Sequence, residues 1–344
     1  MTRAGPAGLD LDRLAAYLDA KRPVSATLIA GGRSNLTYHL VVDGDDLVLR
    51  RPPLGHVLAT AHDMSREFRV ISALAPTTVP VPEPVRFCAD ESVIGAPFYL
   101  MRRVEGTVFR SRGQTDPLGA DRRRELAFAM MDTLAALHRV DVRAVGLADF
   151  GKPEGFVARQ VRRWSGQLDK SRSRPLPLVD ALRDRLAATV PASGGAGTVV
   201  HGDYRLDNLI VSPDGTAIRA VLDWEMATLG DPLTDLGLLL TYWDVLGGGA
   251  VGAAAAAVST GLGPAAGFPP GDELIARYVA SGGVDVGDLN WHVALGCFKL
   301  AVIAEGIYYR YTLGQTVGEG FERFAGMAGP LAEHGLAALA SVEG

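Results

Sequence analysis

Apolar residues recur at helical spacing in several segments of the chain. In 63–74 they fall at Met64, Phe68, Ile71 and Leu74, at intervals of four, three and three residues, which predicts an amphipathic helix. The same kind of pattern predicts further helices over 9–18, 125–139, 175–190, 235–242 and 291–311. Most of these segments follow residue 105, so the later part of the chain is expected to be mainly helical.

Short apolar runs bounded by turn residues predict strands in the first third of the chain. The run 47–51 alternates with period two, which places Val48 and Arg50 on one face of a strand and Arg51 on the other. Runs at 38–42 and 98–101 predict two further strands. This part of the chain is therefore expected to contain a small sheet with the helix 63–74 beside it.

Composition and charge exclude several classes of protein. The 344 residues are 48% hydrophobic, which is enough to bury a large core. A net charge of −5 and a pI near 5.8 give no basic footprint for nucleic acid. Cys88 and Cys297 lie far apart, so neither a disulfide scaffold nor a cysteine metal site is expected. The chain has no signal-like N-terminus and no unbroken apolar stretch of about 18 residues, so we expect a cytoplasmic protein without a membrane partner.

Two polar segments joined by a short apolar hairpin carry candidate chemistry. The first runs from His201 to Asn208 and contains Asp203, and the second begins at Asp223. In-line transfer of a γ-phosphoryl group needs a carboxylate at the attacking hydroxyl and oxygen ligands that hold Mg²⁺ against the ATP phosphates. Asp203 and Asn208 lie five apart in one loop, so both can face the transferred group. The turn 212–215 between two apolar runs then returns the chain to Asp223.

The order of these residues resembles the aminoglycoside phosphotransferase and choline kinase superfamily, in which His-Gly-Asp, four residues and Asn precede an aspartate that opens the next loop. Segment 230–236 continues the likeness. Within the superfamily, 47–53, 298–301 and 308–311 are similar to the phosphotransferase domain fused to some acyl-CoA dehydrogenases and to its free-standing bacterial relatives. The resemblance implies an α+β, two-lobed protein-kinase-like fold. Its small antiparallel-sheet N-lobe would span 1–104 and its mostly helical C-lobe 105–344.

The resemblance also implies roles for the residues of the two polar segments. Asp203 is the expected catalytic base, and Asn208 and Asp223 are the expected Mg²⁺ ligands. The first polar segment, 201–208, is the expected catalytic loop. The residues expected to support it are His201, Asp231 and Asp235.

Nucleotide binding is expected in the N-lobe. Gly31, Gly32, Ser34 and Asn35 match the phosphate-covering loop of that family. Val48 matches the residue that covers the adenine, Arg50 the phosphate-binding cation and Glu67 its acidic partner. The hinge backbone corresponds to Met101, Arg102 and Val104. The superfamily usually has Lys where this chain has Arg50, and the two cations are not geometrically equivalent. Two alternatives remain at this stage: the glycine loop is a plain hairpin turn, or Arg50 and Arg51 are a solvated strand end.

The expected activity is ATP-dependent phosphorylation of a small-molecule hydroxyl. For the acceptor we select Trp243, Trp291, Tyr308 and Arg310, because aromatic area with few charges suits a partly apolar substrate. A hydroxyacyl compound, as its coenzyme A thioester or free, fits that description. The alternatives are an aminoglycoside-type antibiotic kinase and a nucleotide-binding regulator without turnover. The Gly- and Ala-rich segment 247–271 is either a lid or a filler loop.

Overall fold

The computed structural model describes residues 5–29, 35–54, 63–192, 197–248, 260–316 and 319–341. Gly31, Gly32 and Ser34 of the expected phosphate loop, and part of 247–271, lie outside these residues. The chain forms two compact units. The first comprises Met1–Gly106 together with Arg219–Ala227, and the second comprises Thr107–Ile218 together with Thr228–Gly344. The first unit thus contains the short segment that carries Asp223, in addition to the predicted N-terminal part.

The first unit contains a five-stranded antiparallel sheet. Its strands are β1 Ser25–Leu28, β2 Leu36–Val42, β3 Asp45–Arg51, β4 Pro84–Cys88 and β5 Phe98–Arg102, in the order β1-β2-β3-β5-β4. β3 begins before the predicted 47, because Asp43 and Gly44, both with positive φ, complete the turn. Two helices accompany the sheet, α1 Leu11–Tyr17 and α2 Met64–Leu74.

The alternation of β3 separates an apolar core from a polar face. Leu47 and Leu49 lie in a buried cluster with Leu14 of α1 and with Phe98 and Leu100 of β5. Because side chains alternate along a strand, Val48 and Arg50 point to the opposite face.

The helix α2 contacts β4 and β5 and begins at a side-chain cap. The carboxylate of Asp63 accepts hydrogen bonds from the backbone N–H groups of Ser65 and Arg66 at 3.0 and 3.1 Å. The cap fixes where the helix starts and so where Glu67, in its first turn, is placed.

The second unit is mainly helical. Its helices are α3 Arg112–Thr115, α4 Gly119–His138, α5 Phe156–Ser171, α6 Pro177–Ala188, α7 Leu233–Leu240, α8 Gly271–Ala280, α9 Asn290–Thr312 and α10 Ala328–Ala340. The predicted helices are present with shifted ends: α4 starts earlier than 125, and the segment predicted as 235–242 continues beyond Leu240 as a π-helix, Thr241–Leu246. Short strands β6 Thr198–Val200 and β9 Thr228–Gly230 pair antiparallel, and β7 Leu209–Val211 and β8 Ile218–Val221 flank the turn before Asp223.

The helix α9 is the centre of the second unit. It packs against α5, α6, α7 and α10. Among the described residues it is the one helix long and apolar enough to span a bilayer, and 78% of its apolar window is buried inside the protein. That burial is what the core helix of a globular unit shows.

Candidate active site

The catalytic loop is held at its start by a buried carboxylate. Asp235 of α7 accepts hydrogen bonds from the backbone N–H groups of His201 and Gly202 at 2.7 and 2.8 Å. Its Oδ2 also lies 3.3 Å from Nε2 of His138. Burial opposes ionisation of Asp235, but the contacts with His138 and His201 outweigh it and lower the pKa of the carboxyl below its ordinary value. The loop is thereby fixed at the two residues that precede Asp203.

Asp203 and Asn208 lie side by side in this loop. The amide Nδ2 of Asn208 donates to the backbone carbonyl of Asp203 at 2.9 Å and to its Oδ2 at 3.2 Å. A 3₁₀ turn, Leu206–Asn208, brings the two residues together, and the N–H of Asn208 closes it on the Arg205 carbonyl. These bonds use the amide nitrogen of Asn208. They do not involve its amide oxygen, which is a type of ligand that a hard cation accepts.

Of the other two residues expected to support the loop, His201 lies within it and Asp231 lies outside it, where α7 begins. His201 is fully buried, its ring lies edge-on to Tyr204 at 5.8 Å, and its Nδ1 accepts from the N–H of Asp203 at 3.2 Å. Asp231 accepts from the N–H of Leu233 at 2.9 Å, where α7 begins. Both side chains are therefore engaged in local structure.

His138 contacts Asp235, the residue that holds the loop, and the sequence did not reveal this contact. Its Nδ1 lies 2.8 Å from the hydroxyl of Tyr278, so a buried chain of contacts runs from Tyr278 through His138 to Asp235. His138 stands at the end of α4, and a histidine at a helix end gives no sign of a partner so distant in sequence.

A small pocket lies beside the catalytic loop. Arg205 pairs with Asp207, donating to Oδ2 at 2.7 Å, and its guanidinium lies 4.2 Å from the ring centre of Tyr242. The pocket is lined by these residues together with Trp243, Leu239 and Leu262. The pocket is small, and the Arg205 guanidinium in its wall is paired with the Asp207 carboxylate.

In the first unit, Arg50 joins two carboxylates. Its Nε lies 2.9 Å from Oε2 of Glu67, and its Nη2 donates a hydrogen bond to Oδ1 of Asp223. The side chain is only 12% exposed. Burial opposes the charge, but Tyr99, Glu67 and Asp223 outweigh it and raise the pKa of Arg50 above its ordinary value. The predicted pairing of Arg50 with Glu67 is present.

The alternative that Arg50 and Arg51 form a solvated strand end is wrong. Arg51 is 4% exposed and donates to the carbonyls of Gly8, Ile94 and Pro52. Alternation along β3 sends the two guanidinium groups to opposite faces, so each has its own buried partners.

Three further residues, Tyr99, Asn35 and Glu225, complete the Arg50 cluster. Glu67, 1% exposed, accepts from the hydroxyl of Tyr99 and from Nδ2 of Asn35, both at 2.9 Å. The same Asn35 nitrogen donates to Oε2 of Glu225 at 3.1 Å. The side chain of Asn35 therefore links two acidic residues. Tyr99 and Glu225 were not selected from the sequence, and the antiparallel pairing that sets Tyr99 opposite Arg50 becomes visible only in the structure.

Asp223 adopts a backbone conformation that is uncommon for a residue with a side chain. Its φ is +65° and its ψ +58°, at the start of the 3₁₀ turn Trp224–Met226. The indole N–H of Trp224 donates to the carbonyl of Val221 at 3.0 Å and holds the turn in place. A left-handed, non-glycine residue costs free energy, and such residues concentrate at functional sites.

The expected adenine site maps to two paired strands. Val48 and Met101 face each other across β3 and β5, and both are 7% exposed. The N–H of Arg102 donates to the carbonyl of Glu83 at 2.8 Å. The N–H of Arg102 therefore already has a protein acceptor. Val104, the other residue whose backbone is expected to contact adenine, lies beyond the end of β5.

The expected acceptor residues occupy different environments. Trp243 and Trp291 are 2% and 7% exposed, and the Trp243 N–H donates to the Pro269 carbonyl at 2.9 Å. Tyr308 lies under the guanidinium of Arg174 at 4.8 Å, and Arg310 is exposed near the end of α9. Only Trp243 lines the pocket beside the catalytic loop.

Mg²⁺ prefers hard oxygen ligands and is often held by one or two carboxylates together with substrate phosphates. Asp223 offers a carboxylate and Asn208 an amide oxygen. Within the described ranges no group of three or more His, Cys, Asp or Glu side chains could hold a metal ion.

Comparison with known proteins gives consistent results. The profile of the phosphotransferase enzyme family matches residues 25–273. Acyl-CoA dehydrogenase family member 11 of Gallus gallus is 37% identical over 321 residues, which are 91% of this chain and 40% of that protein. The chain thus spans about two fifths of the length of that curated relative.

Two solved structures share the architecture. One, from Ralstonia eutropha JMP134 and provisionally described as an aminoglycoside phosphotransferase, is 33% identical with a TM-score of 0.82, covering 96% of this chain and 98% of that one. The other is a thermostable variant of aminoglycoside phosphotransferase APH(4)-Ia in a ternary complex with AMP-PNP and hygromycin B. It is 14% identical with a TM-score of 0.61, covering 97% and 98% of the two chains. The predicted kinase-like α+β fold is confirmed.

Proposed function

Because the chain belongs to the phosphotransferase enzyme family, whose members are kinase-type enzymes, we propose that it transfers the γ-phosphoryl group of ATP to a hydroxyl group of a small molecule. The observation that supports this most directly is the pairing of Asp203 with Asn208 in a loop clamped by Asp235. The carboxylate orients and deprotonates the acceptor hydroxyl, and its position is held by the backbone contacts on either side.

Mg²⁺ is the proposed metal, with Asn208 and Asp223 as its protein ligands. When bound, it neutralises negative charge on the nucleotide phosphates. In the structure the Asp223 carboxylate accepts a hydrogen bond from Arg50, which orients it within the first unit. Asn208 contributes its amide oxygen, which takes no part in the hydrogen bonds from its amide nitrogen to Asp203.

The proposed nucleotide site belongs to the first unit. Arg50 binds the α- and β-phosphates, Glu67 holds it in place, and Val48 covers the adenine. The phosphate-covering loop comprises Gly31, Gly32, Ser34 and Asn35, and the hinge comprises Met101, Arg102 and Val104. ATP is the proposed donor because a related fold is known with AMP-PNP, and another nucleoside triphosphate is the outcome to test against it.

For the acceptor we propose a hydroxyacyl compound, free or as its coenzyme A thioester. A polycationic aminoglycoside needs exposed carboxylates, and Glu305, which lies on α9 with three of the expected acceptor residues, is fully buried. It accepts from the Ser173 hydroxyl at 2.6 Å and pairs with Arg174 at 3.1 Å. The pocket beside the loop instead offers Trp243 and Tyr242 with Arg205 in its wall. Trp291, Tyr308 and Arg310 remain part of the proposal.

A direct assay distinguishes the alternatives. The purified chain is incubated with Mg²⁺ and γ-labelled ATP, with hydroxyacyl coenzyme A thioesters, the free hydroxy acids, kanamycin and hygromycin B in parallel. The proposal expects the largest kcat/KM for a hydroxyacyl compound. A larger value for an antibiotic would replace the acceptor assignment, and ATP binding without transfer to any acceptor would favour a regulator.

A further inference from the structure

Gly202 is held at both of its backbone polar groups. Its N–H donates to Oδ1 of Asp235 at 2.8 Å, and its carbonyl accepts from Nζ of Lys299 at 2.6 Å. Lys299 lies on α9, 97 residues further along the chain. The residue immediately before Asp203 is therefore clamped between a carboxylate on one helix and an ammonium group on another.

The position of these two hydrogen bonds matters because Gly202, as a glycine, has more backbone conformational freedom than its neighbours in the loop. Its φ is +82°, in the left-handed region that glycine enters at little cost. The same freedom lets the chain leave that conformation unless contacts hold it. A rotation about Gly202 would change the direction of the Asp203 carboxylate, and small errors in the placement of a catalytic group are costly in rate.

Lys299 is in an environment that packing alone does not explain. The residue is 8% exposed, and its ammonium group lies 5.4 Å from the ring centre of Trp164. A buried ammonium is expensive unless it is hydrogen-bonded and compensated. Burial lowers the pKa of Lys299, and the charges of Asp203 and Asp235 oppose that effect. An apolar side chain would fill the same place in α9 without this cost.

We propose that Lys299 is a positioning residue for Asp203: by holding the Gly202 carbonyl, it fixes the loop conformation that presents the Asp203 carboxylate to the acceptor hydroxyl. This inference rests on the proposed role of Asp203. It also gives a physical reason for the lysine in segment 298–301.

The contact is tested first without turnover, by amide hydrogen exchange of the full chain. Lys299→Met removes the donor, and exchange in a peptide covering 199–205 is expected to become about 10-fold faster, the effect of losing one hydrogen bond to a charged group. Exchange in a peptide covering 47–51 is expected to stay unchanged. Lys170→Met is the matched control, because Lys170 is an exposed lysine on α5, the helix that carries Trp164.

Thermal unfolding identifies the folded variants, and Lys299→Gln, which also removes the cation, replaces the methionine variant if that one does not fold. Lys299→Arg, which keeps a cation and donors, is expected to restore part of the protection. Unchanged exchange in 199–205, or an equal increase throughout the second unit, would overturn the proposal.

Kinetics then separate positioning from a purely structural role. In the folded variant kcat is expected to fall about 10-fold or more while KM for ATP stays the same, and Lys299→Arg is expected to recover part of kcat. Faster loop exchange with an unchanged kcat would overturn the positioning role. Absence of transfer by the unchanged chain would instead reject the proposed function, and the exchange result would still decide whether Lys299 holds the loop.

Discussion

Arg50 donates a hydrogen bond to Asp223 while its Nε lies 2.9 Å from Glu67, so one guanidinium holds two carboxylates from different segments of the first unit. A lysine ammonium is a single point charge, whereas the planar guanidinium presents donors in a fixed fork. The departure from the usual Lys therefore has a structural consequence. The residue proposed to bind phosphate also orients the residue proposed to bind the metal.

Arg50→Ala is expected to weaken ATP binding about 10-fold or more, because a charge-assisted contact to phosphate is lost. It is also expected to destabilise the chain by about 3–5 kcal/mol, since Glu67 would be left buried without its cation. Arg50→Lys should retain part of the ATP affinity and part of the free energy of unfolding. Calorimetric titration with Mg·ATP and urea unfolding measure the two effects separately.

Arg51→Ala is the contrasting variant on the same strand. Its guanidinium donates to buried carbonyls on the opposite face, so it should cost about 1–3 kcal/mol of stability and leave ATP affinity within about a factor of two. An ATP affinity that falls as far in Arg51→Ala as in Arg50→Ala would reverse the assignment of the phosphate-binding cation.

Asp223→Asn is expected to remove most of the Mg²⁺-dependent gain in ATP affinity, because a hard cation depends on carboxylate charge. Calorimetry with and without Mg²⁺ reads out that difference. Asp12→Asn, at an exposed aspartate of α1, serves as the matched control and should behave like the unchanged chain. Equal Mg²⁺ dependence in the Asp223 variant and the control would reject the metal role.

Asp235 should make the free energy of unfolding depend on pH in the acid range. Its pKa is lowered in the folded chain from an ordinary value of 3.8, so its contribution is fully present above about 3.8 and is lost as pH falls through the folded value. Asp235→Asn is expected to cost about 1–3 kcal/mol near pH 6, because a buried backbone N–H loses its acceptor. The gap between the variant and the unchanged chain should then narrow below pH 3.8. Urea unfolding at a series of pH values measures this, and a constant gap would contradict the assignment.

The sequence predicted those relationships that depend on local periodicity. Alternation placed Arg50 and Arg51 on opposite faces of β3, whereas Glu67 was selected as the partner of Arg50 from the family resemblance. Tyr99 could not be selected in the same way, because its position opposite Arg50 depends on the pairing of β3 with β5. Periodicity reports which face a residue occupies, and it carries no information on which strand lies next to it.

The support of the catalytic loop was predicted only in part. Asp235 could be selected because it lies in a segment that resembles a known family. Lys299 contacts the loop directly and His138 contacts Asp235, both from helices far away in sequence, and each reads as an ordinary helical residue. Such contacts are set by how α4, α7 and α9 pack, which a single sequence does not specify.

The role of Asp203 is tested most directly by comparing Asp203→Asn with the unchanged chain in phosphoryl transfer and in Mg·ATP binding. The substitution keeps the size of the side chain and removes the carboxylate that acts on the acceptor, so kcat should fall by about 10²-fold or more while the dissociation constant for Mg·ATP stays nearly the same. A variant that retains the kcat of the unchanged chain on its best acceptor would contradict the assignment of Asp203 as the catalytic base.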